Sequence, residues 1–448
     1  MSDAVGGFVH RASAHASDRW LYAWALGYAA IGAASLLIPL YALALGGGPV
    51  VVGLVEATTG LAGVPGALLW GRLADRTGRR RAFVLFSLAG TGVVLAAVPA
   101  LDSLTALVAA NAVLWFVVSA ASPVVTLFMI EAAPEREWET RIGLLNASQR
   151  YGWVGGLVAG TAWLGVVSLR TSPLAAQRSF FGLCALAALA STPLAFYWLP
   201  PEATTASGRL ARSPRAVYRL VVGSGRYVKL VPFVPTRATF ALTRLDARDL
   251  FGRFSPPLRR YFLTAFVFSA AFSAFFGPAP AYMTALGYDD AFVFGFFIVA
   301  SLASAVAFVP VGRLVGTHHP KRLQLSALGA RVLLFPAVGV VGTLPQFGAR
   351  SVALGVGFLA VGVTWAVIAV TGAGLVSRSA TAPLRGEALG VYTAASGVGA
   401  GVGGLLGGAV AATFGYQTAF VVAGALVALS LALLSSVRFT LRGGADAP

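Results

Sequence analysis

Three ionisable side chains stand inside long apolar runs of this chain, and each offers a different chemistry. Glu56 lies six residues into the apolar segment 50–73. At 1.5 Å per helical residue that is about 9 Å below one membrane face. A carboxylate there can carry a proton if it faces a water-filled cleft, or make a structural hydrogen bond if it does not. Arg150 and Arg331 each lie eight residues into their segments, 142–168 and 323–344, about 12 Å from the opposite face. A guanidinium can grip a carboxylate or phosphate bidentately. It can also bond a neighbouring carbonyl, or snorkel to the interface. Arg150 belongs to the most polar run of any segment, Asn146-Ala147-Ser148-Gln149-Arg150-Tyr151. Asn146 and Arg150, four apart, share a helix face. Asn111 is the comparable polar residue of the segment near 105–130.

Other chemistries lack their residues. His10, His15, His318 and His319 all fall outside the apolar runs, and Cys184 is the single cysteine. Neither a metal site nor a disulfide framework is expected, and no cofactor is implied. The only lysines, Lys229 and Lys321, do not follow the glycine of a phosphate-binding loop, which disfavours an ATP-driven pump. No carboxylate cluster, histidine pair or nucleophile triad lies within the apolar runs, so an enzyme is not expected.

The elements that must hold these residues are membrane helices. The 448 residues are 57% hydrophobic and 11% charged, whereas a soluble domain is about 25% charged. Crossing about 30 Å of hydrocarbon takes roughly 20 mostly apolar residues. Twelve segments qualify, near 20–45, 50–73, 82–100, 105–130, 142–168, 179–199, 259–283, 289–313, 323–344, 351–376, 387–413 and 416–437. Only Phe414 to Gln417 mark a turn between the last two. The first 19 residues lack a signal-peptide core, so the first apolar run reads as a retained helix.

The net charge of +17 follows from topology. Connections and helix ends on one side hold 28 of the 33 Lys and Arg, while Arg170, Arg178 and Arg350 lie on the other. The positive-inside rule then places both termini in the cytoplasm, and no nucleic-acid partner is needed. The one long connection, 201–258, is basic and broken by Pro201, Pro214, Pro232, Pro235, Pro256 and Pro257. It reads as a solvated linker, with anionic-lipid recognition as the alternative.

The chain also repeats itself. At an offset of 241, Pro39, Tyr41 and Gly46 meet Pro280, Tyr282 and Gly287, Gly71-Arg72-Leu73 meets Gly312-Arg313-Leu314, and Arg81 meets Arg322. At 247, Gly143, Gly152, Gly156 and Gly160 meet Gly390, Gly399, Gly403 and Gly407. The four-residue glycine spacing suits close helix packing. Two six-helix units in parallel orientation are expected, 20–200 and 259–437, flanked by a cytoplasmic N-terminus (1–19) and tail (438–448). Such units can rock about a central site.

Between the second and third segments the chain reads GRLADRTGRRR. Gly71, Asp75, Arg76, Gly78, Arg79, Arg80 and Arg81 resemble the signature loop of the major facilitator superfamily. Physically, Gly78 permits a tight turn, and Asp75 can pair with arginines or a helix N-terminus. The resemblance implies an all-α fold of twelve helices with pseudo-two-fold symmetry, and a cytoplasmic latch that stabilises the outward-open state. The second copy, GRLVGTHHPKR, keeps Gly312, Arg313 and Arg322 but has Gly316 for the aspartate, so an asymmetric latch is expected. Many drug antiporters of that family carry an Arg in helix 4 and a Gly-Pro pair in helix 5. This chain has neither.

The expected function is secondary active transport of a small organic solute by alternating access, as a plasma-membrane monomer, with efflux of an apolar or amphipathic compound preferred and a proton or cation as the coupling candidate. Uptake of a small organic anion countered by Arg150, or a non-transporting receptor or scaffold of the same fold, remain alternatives.

Overall fold

The computed structural model describes residues 18–77, 79–121, 124–125, 128, 138–199, 252–381 and 384–437. Most of the basic linker, both terminal segments and Gly78 lie outside these residues. Among those described there is no strand. Twelve main helices follow in order: α1 Trp20–Ala44, α2 Pro49–Thr77, α3 Arg80–Ala97, α4 Leu104–Val118, α5 Trp138–Val167 and α6 Pro173–Trp198. After the linker come α7 Pro256–Phe276, α8 Asp290–Thr317, α9 Pro320–Val341, α10 Phe347–Ser379, α11 Arg385–Phe414 and α12 Tyr416–Ser436.

Helices are the form in which a chain in hydrocarbon satisfies its own backbone. The hydroxyls follow suit: Ser35, Thr161, Ser191 and Thr371 donate to carbonyls three or four residues earlier. Starts are set by local chemistry. Ser103, Ser172 and Asp289 accept from N–H groups of the first turns of α4, α6 and α8, and α6, α7 and α9 open on prolines, whose missing N–H costs nothing there. Among the described residues, ten helices are long and apolar enough to cross a membrane.

Several expected boundaries shift. α2, α5, α8 and α10 run about one turn past the apolar segments, because hydropathy marks only the part in hydrocarbon. Arg150 therefore sits twelve residues into α5, about 18 Å from its start, and Arg331 eleven residues into α9, about 16 Å. The seventh span is not continuous to 283: α7 stops at Phe276, and a short helix, Ala279–Ala285, resumes after Gly277 and Pro278. Pro278 has no N–H to continue the ladder. The fourth span breaks into a turn at 119–121. Gly415, at φ +86°, separates α11 from α12.

The two halves repeat one packing scheme. In the first, α1 packs on α5 and α6, α3 on α6, and α2 on α4. In the second, α7 packs on α11 and α12, α9 on α12, and α8 on α10. The equivalence reaches single atoms. A Cβ on Gly152 or Gly156 would collide with the carbonyl of Ala25 or Ala29, and one on Gly399 or Gly403 with that of Phe266 or Ala270. Buried Tyr41 donates to the Leu101 carbonyl, just after the 3-10 turn Val98–Ala100 that follows α3, and Tyr282 to Gly339 at the end of α9. Gly46 and Gly287 both have positive φ, +84° and +85°. Large apolar side chains such as Val306 and Leu333, 75% and 74% exposed, point outward, as lipid-facing residues do.

Candidate functional site

The halves meet along two seams, α2 against α11 and α5 against α8. The start of α1 and the end of α12 lie at one face of the bundle, the termini face. At the opposite, far face the first seam is backbone on backbone. A Cβ on Gly408 would lie 2.6 Å from the Pro49 carbonyl oxygen, and one on Gly60 would lie 2.6 Å from that of Gly397. Gly53 fits against Gly404 and Gly408 in the same way. Lower down, Leu61 covers Gly401 and Val64 covers Gly397. The seam is thus closed at the far face and at the level of Val64, about halfway along α2.

Polar groups cross this junction. Glu56, partly buried, accepts a hydrogen bond from the Ser273 hydroxyl of α7 at 3.0 Å, and its stem packs beside Gly404 and Gly277. Asn111 does not approach the other half. It donates to the Val55 carbonyl at 2.8 Å and to Thr58 at 2.9 Å, pinning α2 next to Glu56. On the second seam, Gln177 of α6 donates to the Asp290 carboxylate at the head of α8 at 2.7 Å. Phe294 of α8 fills the space over Gly160 and stands edge-on to Phe180 at 6.2 Å. Ser273, Gln177 and Asp290 escape a sequence reading. Each is one polar residue near a helix end or among serines, and its partner is more than a hundred residues away.

Arg331 is wholly buried, at 0% exposure, so the snorkelling considered from its sequence position does not occur. Its greater depth and its neighbours explain why. Its Nε donates to Thr364 Oγ1 at 3.0 Å and one terminal nitrogen to the Val361 carbonyl at 2.9 Å. Phe268, Phe272, Phe335 and Trp365 surround it with ring centroids 5.3–5.9 Å away. Its second terminal nitrogen has no partner. The aromatic faces supply the stabilisation that a counter-ion would otherwise provide.

Arg150 is half-buried, near the Tyr28 phenol of α1. Asn146 and Gln149 are buried beside it, at 6% and 7% exposure. Gly165 of α5 meets Ala291 of α8, and Arg150, fifteen residues earlier, points within about 60° of that direction. It therefore lies below the seal, on the flank of α5 that faces the second half. Arg150, Glu56 and Arg331 stand on three separate helices and are not joined to one another by any hydrogen bond in the structure.

At the face bearing the termini, the side chains of Gly71, Asp75, Arg76 and Arg313 are outside the described part, as is Gly78, so the latch geometry is not described. The arginines that follow are. Arg81 donates to the Phe196 carbonyl near the end of α6, its guanidinium 4.7 Å from that residue's ring. Arg79 is exposed and Arg80 half-buried. In the second half Lys321 donates to the Ser435 and Val437 carbonyls, at 2.9 and 2.7 Å, at the end of α12. A cation at the start of α3 and of α9 thus caps the negative end of α6 and of α12. Arg322 is exposed, and Gly312 has open space beside it. Among the described residues no group of acidic, His or Cys side chains could hold a metal.

A family model described as Major Facilitator Superfamily matches residues 21–382. No curated protein matches the chain in sequence. Among solved structures, the nucleoside transporter NupG is similar, with a TM-score of 0.70 at 14% identity, over 94% of this chain and 98% of that one. The proton:xylose symporter XylE gives a TM-score of 0.59 at 17% identity, covering 96% and 97%. The human organic anion transporter MFSD10 gives 0.56 at 17% identity, covering 93% and 98%.

Proposed function

The chain belongs to the major facilitator superfamily and is a membrane transporter, and from that premise we propose that it moves a small organic solute by rocking its two bundles about a central cleft. The observation that carries this reading is the far-face seal. Glycine backbones of α2 and α11 touch at the far face, Glu56 bonds Ser273 across the halves, and Gln177 bonds Asp290. The repeated packing inside each half makes two rigid bodies, and the seal between them is built from contacts that separate without unfolding either.

With the termini in the cytoplasm, as the basic side of the chain supports, the seal closes the outside. The protein acts in the plasma membrane, as a monomer.

The substrate reading rests on the second half. Phe268, Phe272, Phe276 and Trp365 form a continuous aromatic cluster, with Phe272, Phe276 and Trp365 only partly buried. Such a wall suits an apolar or amphipathic solute, and efflux is the direction favoured. The second reading, uptake of a small organic anion, is supported by Arg150 on the interface flank below the seal. The similar structures share the fold at 14–17% identity and do not choose between these. Transport of a panel of labelled compounds by reconstituted protein, with and without a proton gradient, tests the proposal. Saturable flux above empty vesicles is expected. No flux of any compound would favour a receptor or scaffold.

A further inference from the structure

The α2–α7–α11 junction places a carboxylate where a charge has no counter-ion. Glu56 accepts one hydrogen bond, from Ser273 of the opposite half. The elements packed around it present no titratable partner among the described side chains. α7 offers Ser273 and Gly277, and α11 offers Gly404. From α4 comes the neutral Asn111, already engaged with α2. The tyrosines of α1 are used elsewhere, Tyr28 beside Arg150 and Tyr41 on the α3 end. The arginines of α3 lie at the termini face. The Arg178–Asp102 ion pair belongs to the rim of the first half.

An ionised carboxylate that is partly buried, packed by its stem on glycine backbone, with one hydroxyl donor and no cation among the described side chains, is costly, whereas a neutral acid is tolerated there. When the far face opens, α2 leaves α7 and α11, and Glu56 meets water, where the ionised form is solvated. We propose that Glu56 is the proton-coupling site, and that its protonation licenses closure of the far-face seal. The cycle balances. Glu56 takes one proton from the far-side solution in the open state, carries it as a neutral acid into the closed state, and gives it up to the cleft on the termini side. The seal thereby counts protons. This inference rests on the alternating-access reading and assigns its coupling ion.

The experiment reads the seal without needing a substrate. Gly48→Cys and Thr413→Cys place spin labels on opposite halves at the far face, at exposed positions. The native Cys184 is buried and does not compete. Distances are measured in nanodiscs between about pH 5 and 9, a range wide enough for a carboxylate in either environment. The expected result is a short-distance population that gives way to a long one as pH rises, the ratio changing by up to about tenfold per pH unit for one proton. Glu56→Gln, an isostere of the neutral acid, should hold the short distance at every pH. Ser273→Ala should keep the pH response and move its midpoint. Two populations at a ratio independent of pH would overturn the proton assignment and leave alternating access standing. A single short distance under all conditions would overturn both. A pH response retained in Glu56→Gln would overturn Glu56 as the site.

Discussion

Gly60→Ala perturbs the seal at one atom, and its effect follows from the geometry. A Cβ at this position would stand 2.6 Å from the Gly397 carbonyl oxygen, whereas ordinary contact begins at 3.4 Å. The obstructing atom is backbone, so no rotamer change relieves it, and α2 and α11 must part by about 0.8 Å. Overpacking of this kind costs about 1–3 kcal/mol. The cost applies only where the helices touch, so it falls on the closed state alone. The closed-to-open ratio should therefore drop by about 5- to 150-fold. The far-face label pair measures that ratio directly. Gly155→Ala is the control, because nothing lies within 4 Å of a Cβ there, and it should leave the ratio unchanged. If Gly60→Ala matches wild type while folding normally, the backbone contact is not what closes the far face, and the argument from the glycines fails.

Further outcomes are expected. Gly156→Ala and Gly403→Ala each drive a Cβ into a backbone carbonyl inside one half. They should lower thermal stability by similar amounts, about 1–3 kcal/mol each, read from melting in detergent; a large difference between them would argue against equivalent halves. Tyr282→Phe removes the hydrogen bond to Gly339 and should cost about 0.5–1.5 kcal/mol, measured the same way. Arg150→Lys keeps the charge but loses the fork. Transport of an anionic substrate should fall in it and further in Arg150→Ala, and full activity in the alanine variant would reduce Arg150 to a structural residue. Arg331→Met removes an unpaired buried charge and should leave stability nearly unchanged or raised. A strong loss would mean that the ring cage depends on the cation.

The sequence carries the fold where a pattern is local or repeated. Twelve apolar runs, a basic side and the matched glycines lead to the two bundles, and the pairs Tyr41–Tyr282 and Gly46–Gly287 hold equivalent places in the structure. Helix ends are less legible, because polar residues continue α2 and α5 beyond the hydrocarbon without an apolar signal. The break in α7 has a signal, Gly277-Pro278, that an apolar window averages away. The site divides in the same manner. Glu56 and Arg331 stand out by charge, but their surroundings do not. The cage of Arg331 draws on α7, α9 and α10, and Ser273 is 217 residues from Glu56. No spacing along one helix encodes a meeting between helices of different halves.

The far-face seal has an entropic consequence. Holding a long side chain still on closure costs up to about 2 kcal/mol of rotamer entropy, and glycine has none to lose. Gly53, Gly60, Gly397, Gly404 and Gly408 put bare backbone at the contact, so these positions lose no rotamer freedom when the seam closes. The same seam can therefore form and part at each turnover with little reordering of the chains that make it.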